Sequence, residues 1–577
     1  MDRIIRNGRI VDGSGGASFS GDIAIRGGKI AQVGKVDGRG AEEIDAAGAV
    51  VAPGFIDVHT HFDAQVFWDQ TLSPSIYHGV TTALAGNCGF TLAPLSGRQE
   101  DTDYLLRMLS RVEGMPLVTL QEAVKPDWRS FAEYLDKIDG TLAINTAFMV
   151  GHSALRRAVM GERALTDKAS AKDIESMTAL LELSLRQGGT GFSTTVSPTH
   201  SDYEGRPVPS RVAEREELLA LAAVLRGHPG TWLELVFGVS EMKEEHYALA
   251  SDMSLSAQRP INWNAVQINS SKPELLEMKL KAGDYAHQRG ATTIALVPAA
   301  PMIVLLNFVN MFVLDTIPNW SQLVPMSMPD RVRALADPDF RAQLIQGAES
   351  PEAKQGGRLP NWDRVMLEGL SLPDNLQWNG KPLGAVAASR QRSSLETLFD
   401  LAVEEDLGVS FSMPAESVDE KSWQLRGELW RDRRCLIGGS DAGAHLDMLN
   451  SFAFSTQLLG EGVRRRGLLS LEEAVHRITA LPAKCFGLRG RGSIAPGMAA
   501  DLVIFDPETV DCGPIAMRND LPGGEKRLYA DAMGVAQVIV AGEVVANDNR
   551  ATGRYPGRVL RSGRDTETVP IGTWLHG

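Results

Sequence analysis

The run APGFIDVHTH (52–61) ends in two histidines, His59 and His61, one residue apart. On an extended chain successive side chains point to opposite faces, so these imidazoles share a face, about 7 Å apart along the strand. Neutral imidazoles that converge at a strand end can hold a metal ion between them. A pair of polar residues at a strand mouth would give the same letters, so the motif needs partners before it means a site.

Something must bring partners to that strand end. Between 53 and 487 the sequence alternates short apolar strands with helices, an α/β pattern. Strand candidates are GFIDV (54–58), VTTALAG (80–86), AINTAFMVG (143–151), TGFSTT (190–195), TWLELV (231–236), PINWNAV (260–266), ATTIALV (291–297) and RCLIGGSD (434–441). Helix candidates such as 171–188 and 215–227 lie between them. This alternation predicts a (β/α)8 TIM-type barrel over 53–487, with an insertion around 300–400. VSFSMPA (409–415) is a ninth strand candidate and leaves the strand numbering open.

Before and after this region the grammar changes to short strands and glycine turns: RIIRNGRIVD and DIAIRGGKIAQVG at one end, ADLVIFDPE (500–508) and AQVIVAGEVVAND (536–548) at the other. Two flanking β segments predict one small β-sandwich built from both termini, 1–52 plus 488–577, around the inserted barrel.

The chain has 577 residues, 58 basic against 72 acidic, for a net charge of −14. That size holds a large catalytic domain and an accessory one. The absence of a basic block argues against a nucleic-acid partner. Cys88, Cys435, Cys485 and Cys512 show no paired spacing, which points to a reducing, cytoplasmic setting, as does an N-terminus without an apolar leader. The greasy stretch 295–318 contains Pro298, Pro301, Asn307, Asn310 and Asp315, and reads as a buried helix beneath a loop rather than a membrane contact.

APGFIDVHTH after a β module, with SDAGAHL (440–446) near the end of the alternating region, resembles the metal-dependent amidohydrolase superfamily. GVTTALAGNCGFTLAP (79–94), VGHSALRRAVMG (150–161), GTGFSTTVSP (189–198) and YPGRVLR (555–561) narrow the resemblance to the N-acyl-D-amino-acid deacylases. It implies a zinc-dependent hydrolase with His59, His61, Cys88 and Asp441 as metal ligands. It also implies Asp441 as the catalytic acid and base, His152 near the metal, and an oligomeric assembly. A thiolate beside two imidazoles is a soft, strong zinc donor, in keeping with that role for Cys88. Cys435, Cys485 and Cys512 lack such a setting and read as packing residues.

The sequence departs from the family where two further histidine ligands are expected. Glu234 stands nearest the first, NWNAVQI (262–268) has no histidine, and Gln267 stands near the expected carboxylate-binding lysine. Glu234 is therefore a substitute ligand, a base, or a charge paired with an arginine. One zinc ion is expected; a second is open. His445, four residues after Asp441, can hydrogen-bond substrate or a group behind the metal ligands, and the loop 197–211 offers His200, Tyr203, Glu204 and Arg206 as a substrate-facing lid, from which Tyr203 and Arg206 are taken as binding residues. The expected chemistry is hydrolysis of a small-molecule amide: Asp441 takes a proton from a water acidified by the cation and passes it to the leaving amine. Two alternatives stay open: another carbonyl substrate such as a lactam, carbamate or ester, and a binding or scaffold protein without catalysis.

Overall fold

Pro53 and Gly54 mark the passage from one sheet into another. In the computed structural model, which describes residues 1–238, 242–302, 304–311, 313–355, 361–412 and 417–574, strand Val50–Pro53 ends where Phe55–Asp57 begins. Gly54 is required there, since a Cβ would lie 2.1 Å from the Thr81 hydroxyl.

Val50–Pro53 belongs to a nine-stranded sheet made from both ends of the chain. It runs parallel to Arg3–Ile10, through Arg9↔Val50, and antiparallel to Leu502–Phe505, through Val51↔Ile504. Its alternation decides what it packs against. Val51 joins Ile5, Ile10, Ile23, Leu502 and Ile504 in one buried cluster. Val50 and Ala52 join Val503 and Phe505 in another, continuous with the core of the central domain.

The central strands are parallel and barrel-like in their order. Phe55–Asp57 pairs with Val80–Ala85, which pairs with Asn145–Phe148. After Met149 the same segment resumes as Val150–Gly151 and pairs with Gly191–Thr195, followed in order by Trp232–Val236, Ile261–Asn264, Thr293–Val297 and Cys435–Ile437. The last strand meets the first through a parallel bridge, Thr60↔Ala442. The eight strand candidates from GFIDV to RCLIGGSD thus all take part, and His59, His61 and Asp441 leave adjacent strand ends.

The stretch 295–318 does not form the expected helix. Strand Thr293–Val297 ends before Pro298, a short strand Leu305–Asn307 follows, and a 3-10 turn spans Leu314–Thr316, with 303 and 312 outside the described residues. Prolines at 298, 301 and 318 deny a helix its amide donors, and the apolar side chains instead build a separate core around Phe308, Met311, Leu314, Trp320, Phe399 and Phe411. The ninth strand candidate lies here: Ser410–Ser412 pairs antiparallel with Leu305–Asn307 and Met366–Glu368, while 413–415 fall outside the described residues. The insertion leans on the strand end that carries Asp441, through Leu305 N donating to Met448 O and Asn307 Nδ2 to Asp447 Oδ2.

The C-terminal tail leaves the terminal sheet. Val559–Leu560 pairs parallel with Thr146–Ala147, and Thr566 donates to Gly230 O. Residues 559–574 therefore pack at the strand starts of the central domain, opposite the histidines, although the sequence reading places them in the β-sandwich range 488–577.

Candidate metal centre

The turn GNCG places Cys88 beside the histidines. Gly86, Cys88 and Gly89 have φ of 78°, 58° and 79°, a left-handed path costly for the cysteine. Neighbours hold it there. Asn87 Nδ2 donates to Thr60 O and Leu84 O, Gly89 N donates to Ser193 Oγ, and Cys88 N donates to Glu234 Oε2 at 2.9 Å. A Cβ on Gly86 would lie 2.5 Å from Met149 O, so this glycine permits the close approach.

Donor atoms of His59, His61 and Cys88 lie within 4.8 Å of one another, all buried. Cys88 Sγ is 3.6 Å from His59 Nε2 and 3.8 Å from His61 Nε2. Asp441 lies beside the group, its Oδ1 3.1 Å from His59 Nε2 and 3.8 Å from His61 Nε2. Donors sharing a tetrahedral zinc at bond lengths of about 2.0 to 2.3 Å stand roughly 3.3 to 3.6 Å apart, close to the separations of Cys88 Sγ from the two imidazoles.

Electrostatics points the same way. Asp57, Glu113, Glu234 and Asp441 all lie buried or nearly so around the cluster, and among the described residues none forms an ion pair with lysine or arginine. Burial pushes the Asp57 carboxyl up to about 7 and Glu234 up to about 8. Burial, reinforced by Glu234, Glu113 and Asp441, pushes the Cys88 thiol well up. Asp441 goes the other way: burial opposes its charge, but the hydrogen bond and charge of His59 outweigh that and hold it below the usual carboxylate range. Such a concentration of acids and a thiol, with imidazoles but no lysine or arginine paired to them among the described residues, suits a cation.

The amidohydrolase family model matches residues 42–546. The chain belongs to that family. Along its length it resembles the N-acyl-D-aspartate deacylase of Alcaligenes xylosoxydans xylosoxydans, 30% identical over 97% of this chain and 95% of that one. The D-aminoacylase of the same organism is 29% identical over 97% of both chains. A solved D-aminoacylase with a binuclear metal centre, for which one-metal activation and second-metal attenuation are described, is 26% identical, covers 97% of this chain and 99% of that one, and superposes with a TM-score of 0.63. These neighbours give this amidohydrolase a TIM-barrel-like central domain.

The other half of the amidohydrolase's strand mouth carries different residues. Glu234, on Trp232–Val236, is fully buried; its Oε2 accepts from Cys88 N, while Oε1 has no hydrogen-bond partner. No arginine pairs with it among the described residues. Asn264, at the end of Ile261–Asn264, has Nδ2 3.3 Å from His59 Nε2 and leaves Oδ1 unpartnered. Gln267 is exposed.

Of the residues expected to bind substrate, three have other engagements. His152 is buried with Nδ1 2.8 Å from Thr194 Oγ1 and Nε2 2.8 Å from Glu217 Oε1, and Glu217 also pairs with Arg156. Both ring nitrogens are used inside the core. Arg206 pairs with Asp202 and Glu204, each at 3.0 Å, which closes its own loop. Tyr203 packs on Tyr104, ring centroids 5.8 Å apart. The loop's other histidine behaves differently. His200 stacks near Phe90, its Nδ1 is buried without a hydrogen-bond partner, and burial with the charges of His445 and Arg211 pushes it down to about 3. His445 is buried in the mouth, its backbone N–H donating to Glu113 O.

Glu113 is the residue that sequence reasoning missed. It follows helix Gln99–Val112, where a glutamate before a glycine reads as a solvated helix end. The available signal was its place in the segment that follows the GNCG turn.

Proposed function

We propose that this amidohydrolase cleaves the amide bond of N-acyl amino acids, with one zinc ion held by His59, His61, Cys88 and Asp441. The observation that carries the reading is the buried convergence of His59, His61 and Cys88 within 4.8 Å, with Asp441 Oδ1 3.1 Å from His59 Nε2. The deacylase relatives supply the substrate class. A bound zinc would supply an acidified water and a polarised scissile carbonyl. Asp441, kept ionised by its imidazole neighbours, accepts the proton of the attacking water and delivers it to the leaving nitrogen. His59 and His61 fix the donor geometry from one strand. Glu234 seats the Cys88 turn through its backbone N–H, a positioning role rather than that of a base. The accompanying architecture is a closed (β/α)8 barrel over 53–487 with its insertion at 300–400, and a terminal β domain from which the tail beyond 558 is excluded.

The test is zinc content per chain in wild type and Cys88→Ala, with hydrolysis of N-acyl-D- and N-acyl-L-amino acids before and after chelation. About one zinc per chain, lost together with turnover on chelation and in the variant, supports the reading. No bound metal under any loading condition overturns it. A second reading, hydrolysis of a cyclic amide or carbamate, draws on exposed Gln267 standing where a carboxylate-binding lysine is expected. Turnover of such compounds in preference to N-acyl amino acids would select it.

A further inference from the structure

Glu113 is a buried carboxylate that the proposed chemistry does not use, and it faces two imidazoles, those of His61 and His445. Its Oε1 lies 3.4 Å from His61 Nδ1 and its Oε2 lies 3.9 Å from His445 Nε2. Its backbone carbonyl accepts from His445 N. The next residue, Gly114, has φ of 57°, and a Cβ there would approach His445 Cα to 3.2 Å, so the segment is moulded around that histidine.

His61 directs Nε2 towards Cys88 Sγ and Asp441 Oδ1, each 3.8 Å away. Its Nδ1 is buried without a hydrogen bond of standard geometry, which leaves Glu113 as the acceptor facing it. Arg111, two residues earlier, does not neutralise Glu113, because its guanidinium is engaged with Asp315 at 2.6 Å. A carboxylate behind a ligating imidazole fixes the ring's tautomer and rotation and raises its basicity.

We propose that Glu113 is a positioning residue: it orients His61 towards the cation and, through His445, ties the loop that follows Asp441 to the same carboxylate. The proposal rests on the metal-site reading above, and its test separates the two. Metal-free wild type, Glu113→Gln, Glu113→Asp and Tyr104→Phe are titrated with cobalt(II) against a competing chelator, following the thiolate-to-cobalt absorption band. Glu113→Gln is expected to bind cobalt about 10- to 100-fold more weakly, with a shifted band. Glu113→Asp, which keeps the charge with a shorter reach, falls between Gln and wild type, and it carries the test if the Gln variant does not fold. Tyr104→Phe removes the hydrogen bond to Asp202 from the helix that precedes Glu113, frees no charge beside it, and is expected to bind as wild type does. Unchanged cobalt affinity in both Glu113 variants overturns the proposal, as does an equal loss in Tyr104→Phe. Wild type that binds no cobalt instead overturns the metal-site reading itself.

Discussion

Two halves of one strand mouth carry different chemistry. On the side of Phe55–Asp57 and Cys435–Ile437, His59, His61, Cys88 and Asp441 crowd together with contacts of 3.1 to 3.8 Å. On the side of Trp232–Val236 and Ile261–Asn264, the corresponding strand ends present Glu234 and Asn264, each with one oxygen lacking a hydrogen bond. The strands are equivalent in geometry, and the difference lies in the donors. Amide and carboxylate keep a buried polar wall but offer no imidazole nitrogen on this side; the single ion proposed above rests on that difference, whereas a solved D-aminoacylase is described with a binuclear metal centre.

That contrast can be broken most directly at Asp441. Asp441→Asn is expected to lower kcat by about 10³-fold, the scale of a lost general acid and base, measured at saturating metal. Cys88→Ala removes a donor outright, and metal affinity should fall by more than the roughly 100-fold upper cost of losing an outer partner, measured by chelator competition. The double variant Glu234→His and Asn264→His sharpens the comparison from the weaker side: elemental analysis should show the metal content rising from one ion towards two per chain. Glu234→Gln is a smaller perturbation, because the amide oxygen can still accept from Cys88 N; kcat should change by less than about 10-fold, below the roughly 10²-fold low end for a lost acid or base group.

The smallest effect lies away from the mouth. His78 is buried between Thr456 Oγ1 and Ala530 O, and burial pushes it down to about 4. The unfolded chain binds a proton near pH 6.5 that the folded chain refuses until about 4. Its contribution is complete above 6.5 and is lost as pH falls towards 4. The unfolding midpoint should therefore fall across that window, and His78→Gln should flatten the fall in thermal melts recorded at successive pH values.

Periodicity made the parallel strands legible, because apolar runs of four to seven residues alternating with amphipathic helices leave few other folds. It did not reveal that the apolar stretch 295–318 abandons helix: the prolines are local breakers legible in the sequence, but the separate core that receives Phe308 beside Trp320 is assembled from distant segments. The tail hid for a similar reason: Val559 and Leu560 are too short a run to declare which sheet they join, and pairing with Thr146 and Ala147 settles it.

At the site, the sequence by itself determined the local chemistry: two histidines on one face of a strand, a cysteine in a glycine turn, an aspartate at the last strand end. The histidine pair follows from alternation, a property of neighbouring residues, while Cys88 and Asp441 were singled out by the motifs that resemble the deacylases. Tertiary structure alone decided which charges meet. It withdrew His152 and Arg206 into pairs with Glu217 and Asp202, and it brought Glu113 to His61 from 52 positions away. Buried carboxylates take whichever partner folding delivers, and no spacing along the chain encodes that choice.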